Sequence, residues 1–497
     1  MKRVLAIVLA LLMLVATLVA CAQPGDDDVT TTTESAGGTQ GTPSDTTAPN
    51  ASEETTLYVE DNLPEDLNFS GTTISILYWE DVEEPEFEVL EQTGDIVTDG
   101  IYMRNLNTET RLGVDLNFVG TLGNFKNQQN FVSTALNSIS SGGEHDIFAG
   151  YSMVGATLAV NGYAYNLKSL DYLDFDMPWW PDSLISQATI NDKLYFASGD
   201  ISTNMLHMMY AMFFNKQLIT DYDLENPYEL VESGKWTYEK MFEMASGRYA
   251  DNNGDGLRDA DDAYGFCTAD IHYDAFFTGA GLNTVEKDSS DKLIISPSFN
   301  SEKTISLLEG ICSFMWDGQD GYHGSTGEVF AKGYTIFTLD RSYMGLKRKD
   351  EINFEYGIVP VPKFDESQTN YVTCLGFPYT MYAISIASKN VEAAAATLEC
   401  LASEGYREVT PMLFETSMKL KYSSDNEASA MYDIIRAGVS IDVGRIFSTE
   451  LQNFSYSVFR NSCVKNAAST WSSTYKAADR IMGRALDDIN DAIAELN

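Results

Sequence analysis

Strand-like and helix-like segments alternate between residues 73 and 149, and this alternation limits the possible folds more than any other feature. Short runs rich in β-branched and aromatic residues are separated by segments of helical length. Such an order is typical of an α/β lobe with a mainly parallel sheet. The strand-like runs are residues 73–79, 114–119 and 146–149, and the helix-like segments are residues 100–111 and 127–138.

Three side chains lie at or just after the ends of these predicted strands. Trp79 ends the first strand, Asp81 comes two residues later, and Tyr151 follows the third strand. Ligands of open parallel sheets bind at the carboxyl ends of the strands. We therefore expect these three side chains to project toward a binding cleft.

The chain begins with a segment typical of a secretory leader. Lys2 and Arg3 precede an apolar run at residues 4–20, and Cys21 follows small residues, as in a lipoprotein signal. We expect residues 1–20 to be a signal peptide and Cys21 to carry lipid on the extracellular face of the cell membrane. A plain transmembrane anchor is the alternative, although this run is at the short end of the roughly 17 to 25 residues that span a bilayer.

Residues 21–69 have the composition of a tether. The segment is acidic and rich in Ser and Thr, with clear runs at residues 26–28 and 30–33. Such a sequence has too little apolar surface to offset the entropy of ordering. We expect it to be disordered and to hold a soluble body away from the membrane.

The formal net charge is −41, from 73 acidic and 32 basic residues. Nucleic acid and anionic lipid both require a basic footprint, so this charge argues against either as the ligand. A neutral ligand or a metal cation fits the charge better. The acidity also has a simpler explanation, because it keeps an exported protein soluble.

Five cysteines remain after Cys21, and they are widely spaced. They contain no CxxC pair and their number is odd, so neither a disulfide framework nor a zinc knuckle is indicated. We expect buried thiols. The five residues are Cys267, Cys312, Cys374, Cys400 and Cys463.

The sharpest local motif is an Asp/Asn/Gly-rich loop at residues 251–262. Oxygen ligands at loop positions 1, 3, 5, 9 and 12, with a glycine at position 6 and a carbonyl at position 7, match a calcium loop. Residues 263–266 do not resemble an exit helix, so we expect structural calcium in half an EF-hand. A turn without metal is the alternative. The candidate ligands are Asp251, Asn253, Asp255, Leu257, Asp259 and Asp262.

A series of short motifs extends from about residue 70 to the end of the chain. They are Trp79 at its strand end and residues 146–149, 190–195, 212–216, 235–239, 356–362, 376–378, 383–390 and 393–403. Their order resembles that of the extracellular solute-binding proteins of carbohydrate ABC importers, of the maltodextrin-binding type. The resemblance implies an α/β, two-lobed, periplasmic-binding-protein-like clamp of type II, with a ligand cleft between its lobes.

The same resemblance implies where the lobes begin and end. Hinge closure around the ligand is the expected motion. The chain would cross between lobes three times, near residues 207–213, 336–341 and 384–388. The first lobe would then comprise residues 70–208 and 340–385, and the second lobe residues 209–339 and 386–497.

A sugar site needs aromatic platforms for the apolar C–H faces, with carboxylates, amides and arginine beside them for the hydroxyls. In the resembled family, the segment matching residues 339–343 reaches the cleft, and Tyr343 stands where a stacking aromatic often lies. Maltodextrin binders have Trp there, so the sugar need not be a maltodextrin. The candidates are Trp79, Asp81, Tyr151, Asp340, Arg341, Tyr343, Phe377 and Tyr379.

Aromatic residues of an α/β protein also build its core, and this is the alternative for each candidate. Trp179 and Trp180 lie between prolines in a structural stretch, and Trp236 precedes a helix that Thr237 would cap. We interpret these three tryptophans as structural. Trp316 stays undecided.

The resemblance implies a lipid-anchored monomer that captures a sugar and delivers it to an ABC permease, without enzymatic activity. A surface carbohydrate-active enzyme is one rival class, but its signals are weak. The four histidines are scattered, residues 150–154 lack the second glycine of a G-x-S-x-G elbow, and no phosphate loop occurs. A sensory or adhesion module with the same clamp is the other rival class.

Overall fold

The computed structural model describes residues 59–324, 326–421 and 426–496. The predicted signal peptide, the predicted lipid site Cys21 and residues 22–58 of the predicted tether lie outside the described residues. The strands are β1 (Thr72–Trp79), β2 (Val114–Thr121), β3 (Ile147–Tyr151), β4 (Tyr210–Asn215), β5 (Tyr264–Thr268), β6 (Val285–Lys287), β7 (Leu293–Ile295), β8 (Gly321–His323), β9 (Thr335–Arg341), β10 (Tyr356–Pro360) and β11 (Thr380–Ile384).

Helices of very different lengths connect these strands, and residues 313–317, 405–409 and 411–421 are wound as π-helix. The α-helices are α1 (Ile96–Leu112), α2 (Gln128–Ser140), α3 (Val154–Val160), α4 (Asp182–Ala188), α5 (Thr203–His207), α6 (Lys216–Asp221), α7 (Pro227–Glu232), α8 (Tyr238–Ala245), α9 (Tyr273–Gly279), α10 (Glu302–Cys312), α11 (Thr326–Ala331), α12 (Tyr343–Lys347), α13 (Val391–Glu404), α14 (Asn426–Ala437), α15 (Val443–Ile446), α16 (Phe454–Val464) and α17 (Trp471–Glu495).

A four-stranded sheet in the order β11-β3-β1-β2 is the centre of the first lobe. β1 pairs in parallel with β2 and β3, and β11 joins β3 in antiparallel orientation. Ile76 of β1 lies opposite both Phe118 and Ile147, so apolar side chains are in register across the sheet. The predicted alternation of strands and helices is confirmed, with a mainly parallel sheet.

A five-stranded sheet in the order β10-β4-β9-β5-β8 is the centre of the second lobe. β5 pairs in parallel with β8 and β9, whereas β4 runs antiparallel to β9 and β10. Every residue of β4 and β5 is buried, as expected for strands covered on both faces.

A two-stranded hairpin of β6 and β7 extends the second lobe toward the first. The Nζ of Lys287 donates to the carbonyls of Ser186 and Thr189, at 2.6 and 2.9 Å. The carboxylate of Asp291 accepts from the backbone N–H of Asn191 at 2.6 Å. The lobes are therefore in polar contact at this side of the molecule.

The folded body begins before the predicted end of the tether. Asp61 forms an ion pair with Arg111, in which both oxygens accept at 2.5 Å, and Oδ2 also accepts from the hydroxyl of Ser403. Burial opposes ionisation of Asp61, but Arg111 and Ser403 hold its pKa below the ordinary value. Leu63 is buried in the core. The prediction that the tether extends to residue 69 is thus wrong for residues 59–69, because a few apolar and charged groups anchor them.

The predicted lobe boundaries also need correction. β10 lies in the predicted 340–385 part of the first lobe, yet it pairs with β4 in the five-stranded sheet. α13 lies in the predicted second lobe, yet it packs on α1, β1 and β11. β9 stays in the second sheet to its end, so the chain returns to the first lobe in residues 361–379 instead of near residue 340. Long-range pairing decides these boundaries, and local sequence does not show it.

Two adjacent indoles of the first lobe share one buried carboxylate. The Nε1 atoms of Trp179 and Trp180 each donate to Glu399, at 3.0 Å. Burial raises the pKa of Glu399 to about 7, although both indole hydrogen bonds oppose the rise. Trp236 is fully buried and its Nε1 donates to the carbonyl of Pro360 at 2.8 Å. The structural interpretation of these three tryptophans is confirmed.

The five cysteines at positions 267, 312, 374, 400 and 463 are buried, as expected. Burial raises the pKa of the Cys400 thiol to about 11, which keeps it protonated. Among residues 59–324, 326–421 and 426–496, no helix has the length and apolar composition needed to cross a bilayer.

Candidate functional site

The carboxyl ends of the parallel strands from both sheets define the candidate cleft. Trp79, at the end of β1, is fully buried, and its Nε1 donates to Oγ1 of Thr380 at 2.8 Å. Its ring meets Tyr151 edge-to-face, with centroids 5.4 Å apart. Burial raises the pKa of Tyr151, so its hydroxyl stays protonated. Trp79 therefore supports the cleft wall from behind Tyr151.

Asp81 holds the loop that follows β2. Its Oδ1 accepts from the backbone N–H groups of Gly123 and Asn124 at 2.8 and 2.9 Å, and Oδ2 accepts from Nδ2 of Asn127 at 3.1 Å. The loop carries Phe125, an aromatic side chain that is 50% exposed and 6.5 Å from the ring of Tyr151. Asp81 thus positions an exposed aromatic side chain that the sequence interpretation missed.

Asp340 and Arg341 end β9 in the second lobe. The Nε of Arg341 is 3.9 Å from Oδ1 of Asp340, which is beyond hydrogen-bond range, and its Nη1 is 3.4 Å from Sδ of Met208. The buried Nε makes no hydrogen bond within the described residues. Burial opposes the charge, but Tyr210 and Asp340 keep the pKa of Arg341 above its ordinary value. Arg341 therefore has donor capacity left for a ligand.

Tyr343 connects the lobes. Its hydroxyl donates to Oε1 of Glu84 at 2.6 Å, and its ring meets His207 edge-to-face at 5.6 Å. The ring is largely buried. Burial lowers the pKa of His207 to about 4, so this imidazole is neutral near pH 7. The predicted stacking role of Tyr343 stays a prediction, since its hydroxyl is already bound by the first lobe.

Phe377 and Tyr379 lie on the segment that returns to the first lobe. The guanidinium of Arg445 lies over the Phe377 ring, 4.1 Å from the ring centroid. The same ring meets that of Tyr456 edge-to-face, with centroids 5.2 Å apart. Its carbonyl accepts from the hydroxyl of Ser152 at 2.6 Å. Tyr379 is buried, which raises its pKa, and it belongs to the core. Of this pair, Phe377 is the one partly open to solvent.

Two arginines converge on one buried carboxylate beside Phe377. Asp274 of α9 accepts from Arg445 at 2.6 Å and from Arg460 at 2.9 and 2.5 Å. Burial opposes ionisation, but the two guanidinium groups hold the pKa of Asp274 below its ordinary value. Arg460 also lies over the ring of Tyr456 at 4.3 Å. We name Asp274, Phe377, Arg445, Tyr456 and Arg460 the central cluster.

Four of these five residues are not among the site residues predicted from the sequence. Tyr456 and Arg460 are separated by four positions on α16, the spacing that places two side chains on one helical face. That spacing was visible in the sequence. Nothing local, however, indicated that α16 would lie beside α9 and the segment around Phe377, because these contacts join residues more than 70 positions apart.

Trp316 lies near the ends of β5 and β8. Its Nε1 donates to the carbonyl of Cys463 at 2.8 Å, and its ring is 5.9 Å from that of His323. His323 stacks almost parallel to Tyr273 at 5.8 Å, and its Nε2 is 2.5 Å from Asp270. The indole N–H is therefore used by the protein, which favours a supporting role for Trp316.

The loop at residues 251–262 closes through its own side chains. Asp251 accepts from the N–H groups of Gly254 and Gly256, whose φ angles of 74° and 76° need glycine. Asp262 is fully buried and accepts from the N–H of Asn252 at 3.1 Å. β5 follows the loop, so the expected absence of an exit helix is confirmed. Within the described residues, no three His, Cys, Asp or Glu side chains converge as metal ligands. The order of oxygen donors along the loop fits calcium, and calcium binding stays a prediction.

No protein-family model matches the chain. No curated protein matches it either.

Solved structures do match along almost the whole described body. The chain is similar to a cyclic alpha-maltosyl-1,6-maltose binding protein from Arthrobacter globiformis, with a TM-score of 0.59 and 14% identity over 84% of this chain and 100% of the other. It is similar to a cyclo/maltodextrin-binding protein complexed with maltotetraose, with a TM-score of 0.54 and 11% identity over 86% of this chain and 98% of the other. It is also similar to an extracellular solute-binding protein from Staphylococcus aureus in complex with maltose, with a TM-score of 0.53 and 12% identity over 85% of this chain and 98% of the other.

Identities this low establish the fold and nothing finer. The chain has the two-lobed α/β fold of extracellular solute-binding proteins, and this confirms the predicted fold class. Each of the three matched structures is described as a binding protein.

Proposed function

We propose that the protein is a lipid-anchored solute-binding protein of the cell surface, which captures a sugar or oligosaccharide between its lobes and delivers it to an ABC permease. The observation that carries the proposal is the fold likeness, which covers 84% to 86% of this chain and nearly all of each matched protein. Those proteins are described with maltose, maltotetraose or a cyclic maltosyl-maltose as ligand.

The chemistry of the central cluster supports a sugar. Tyr456 and Phe377 offer aromatic rings for C–H faces, and the guanidinium groups of Arg445 and Arg460 offer several N–H donors each for hydroxyls. Tyr151 closes this space from the first lobe. Trp79 and Tyr379 act behind these residues as buried supports.

Anchoring and delivery rest on the sequence. Cys21, after the apolar run, is the proposed lipid site, and the residues up to 58 would keep the body within reach of a membrane permease. The body would act as a monomer, with calcium in the loop at residues 251–262.

Calorimetric titration of the chain produced without residues 1–20 tests the proposal. We expect micromolar binding of at least one neutral sugar from a panel of maltodextrins, cellodextrins and monosaccharides, with the sugar recovered unchanged by chromatography. Cleavage of the sugar would instead indicate an enzyme. Failure of every sugar to bind would contradict the proposal.

A further inference from the structure

A groove of about 650 Å³ lies between α17 and the end of α3, away from the central cluster. Ligand pockets typically enclose about 300 to 1,000 Å³. The cavities that touch Arg445 enclose only about 20 and 10 Å³. The groove is therefore already wide enough for a ligand, whereas a sugar ring at the central cluster requires the lobes to move apart at the hinge. Its lining includes Val160, Glu450, Arg480, Arg484, Ala485 and Asp488.

Three charged side chains of α17 face the groove and have no partner among the described residues. Arg480, Arg484 and Asp488 are spaced by four residues and so share one face of the helix. None of them makes a hydrogen bond or ion pair within the described part of the chain, although Arg445 and Arg460 are both paired. Donors and an acceptor are therefore available along one wall, beside the aliphatic surface of Ala485.

Glu450 marks the inner end of the groove. Its Oε1 accepts from the hydroxyl of Thr157 at 2.5 Å, whereas Oε2 is buried without a hydrogen-bond partner among the described residues. Burial raises the pKa of Glu450. An unsatisfied buried carboxyl is costly, so a ligand hydroxyl at this point would supply the missing partner.

Contacts connect the groove to the cleft. Thr449, next to Glu450, donates to Oε1 of Gln128 at 3.3 Å, and Nε2 of Gln128 donates to the carbonyl of Phe125 at 3.1 Å. Phe125 is the exposed ring beside Tyr151. These contacts place Glu450, at one end of the groove, close to the loop that carries Phe125 and therefore close to the wall of the cleft.

We propose that the groove between α3 and α17 is a distal subsite, which binds the far end of a neutral oligosaccharide whose near end lies at the central cluster. This inference rests on the proposed function and makes the ligand class more specific. The arginines and Asp488 would bind hydroxyls, and Val160 and Ala485 would face the C–H surfaces. Affinity should then rise with chain length.

Titration with a length series tests the subsite. The probes are maltose, maltotriose, maltotetraose and maltohexaose, with the cellodextrins of the same lengths as a second series. For the wild-type chain we expect the Kd of the tetrasaccharide to be at least tenfold lower than that of the disaccharide. Ala485→Trp, which fills the groove, should reduce this ratio at least fivefold and leave the Kd of the disaccharide unchanged. Arg484→Ala should reduce the ratio in the same direction.

Matched variants on the same helix provide the controls. Ala477→Trp and Lys476→Ala change exposed residues outside the groove lining, and both should retain the wild-type ratio. Melting temperatures within 2 °C of wild type would show that each variant is folded. A wild-type ratio in Ala485→Trp would overturn the subsite and leave sugar binding intact, whereas binding of neither series would overturn the proposed function and the subsite with it.

Discussion

Two buried carboxylates, Glu86 in the first lobe and Asp274 in the second, are stabilised in different ways. In the first lobe, Glu86 accepts from the hydroxyls of Ser202, Thr203 and Thr380 and from the backbone N–H of Asn204, and these donors are all neutral. In the second lobe, Asp274 instead accepts from two guanidinium groups.

The two hydrogen-bond networks differ in how many donors they leave unused. Each donor to Glu86 has a single hydrogen, and Glu86 accepts it. The hydrogen bonds around Glu86 are therefore satisfied within the protein. Each guanidinium has five N–H donors, and Asp274 uses only part of them. The arginines around Asp274 therefore retain donors beyond those that Asp274 uses, whereas the hydrogens of the donors around Glu86 are used within the protein.

Removing the charge of Asp274 should have the largest effect. In Asp274→Asn, two buried guanidinium groups lose their counterion, and breaking such a pair costs about 3 to 5 kcal/mol. Urea unfolding measures the loss. Glu86→Gln is the first-lobe counterpart, and it should cost about 1 to 3 kcal/mol because its partners are neutral. Equal losses of unfolding free energy in the two variants would contradict this difference between charged and neutral partners.

Glu399 of the first lobe and Asp274 of the second should also respond to pH in opposite directions. The pKa of Glu399 is raised to about 7 in the folded first lobe, so its contribution to stability is present below its unfolded pKa and is lost as pH rises to 7. The pKa of Asp274 is lowered, so its contribution is present above its unfolded pKa and is lost as pH falls through the folded value.

Unfolding free energies measured between pH 4.5 and 7 test this contrast. Glu399 should contribute a decline of roughly 3 kcal/mol over that interval, because each pKa unit corresponds to about 1.4 kcal/mol. Glu399→Gln should remove the decline. A decline that persists in this variant would show that another group is responsible.

Substitution of aromatic residues should distinguish a side chain that binds the sugar from one that supports the cleft wall. Tyr456→Ala removes a ring of the central cluster, and we expect a tenfold to hundredfold weaker Kd for sugar, about 1.4 to 2.7 kcal/mol. Trp79→Phe removes a buried hydrogen bond and should lower the unfolding free energy by about 1 kcal/mol, with a Kd within twofold of wild type. A large loss of affinity in Trp79→Phe would place that indole in the site.

Calcium should give the smallest effect, confined to the second lobe. With a Kd of about 10⁻⁴ to 10⁻³ M, 1 mM calcium should stabilise the fold by roughly 0.4 to 1.4 kcal/mol. Differential scanning calorimetry with calcium and with chelator measures it. Asp251→Asn should be insensitive to both, and a wild-type chain equally insensitive would leave the loop as a turn without metal.

The local sequence pattern predicted the positions of the strands and helices well, but it did not show which strands pair. The first strand was expected at residues 73–79 and lies at Thr72–Trp79, because apolar alternation and β-branching act within a few residues. β10 was assigned to the wrong lobe, since its pairing with β4 joins segments about 140 residues apart. The same limit applies to Asp274, whose arginines come from helices near the end of the chain.

The sequence by itself determined the α/β class, the structural tryptophans and the five buried thiols, since composition and short-range spacing carry that information. Only the tertiary structure decided that Trp79 and Asp81 support the cleft, that residues 59–69 join the body, and that a central cluster forms around Asp274. The physical reason is that a side chain's role depends on which donors and charges surround it after folding. Segments distant in the chain supply those neighbours.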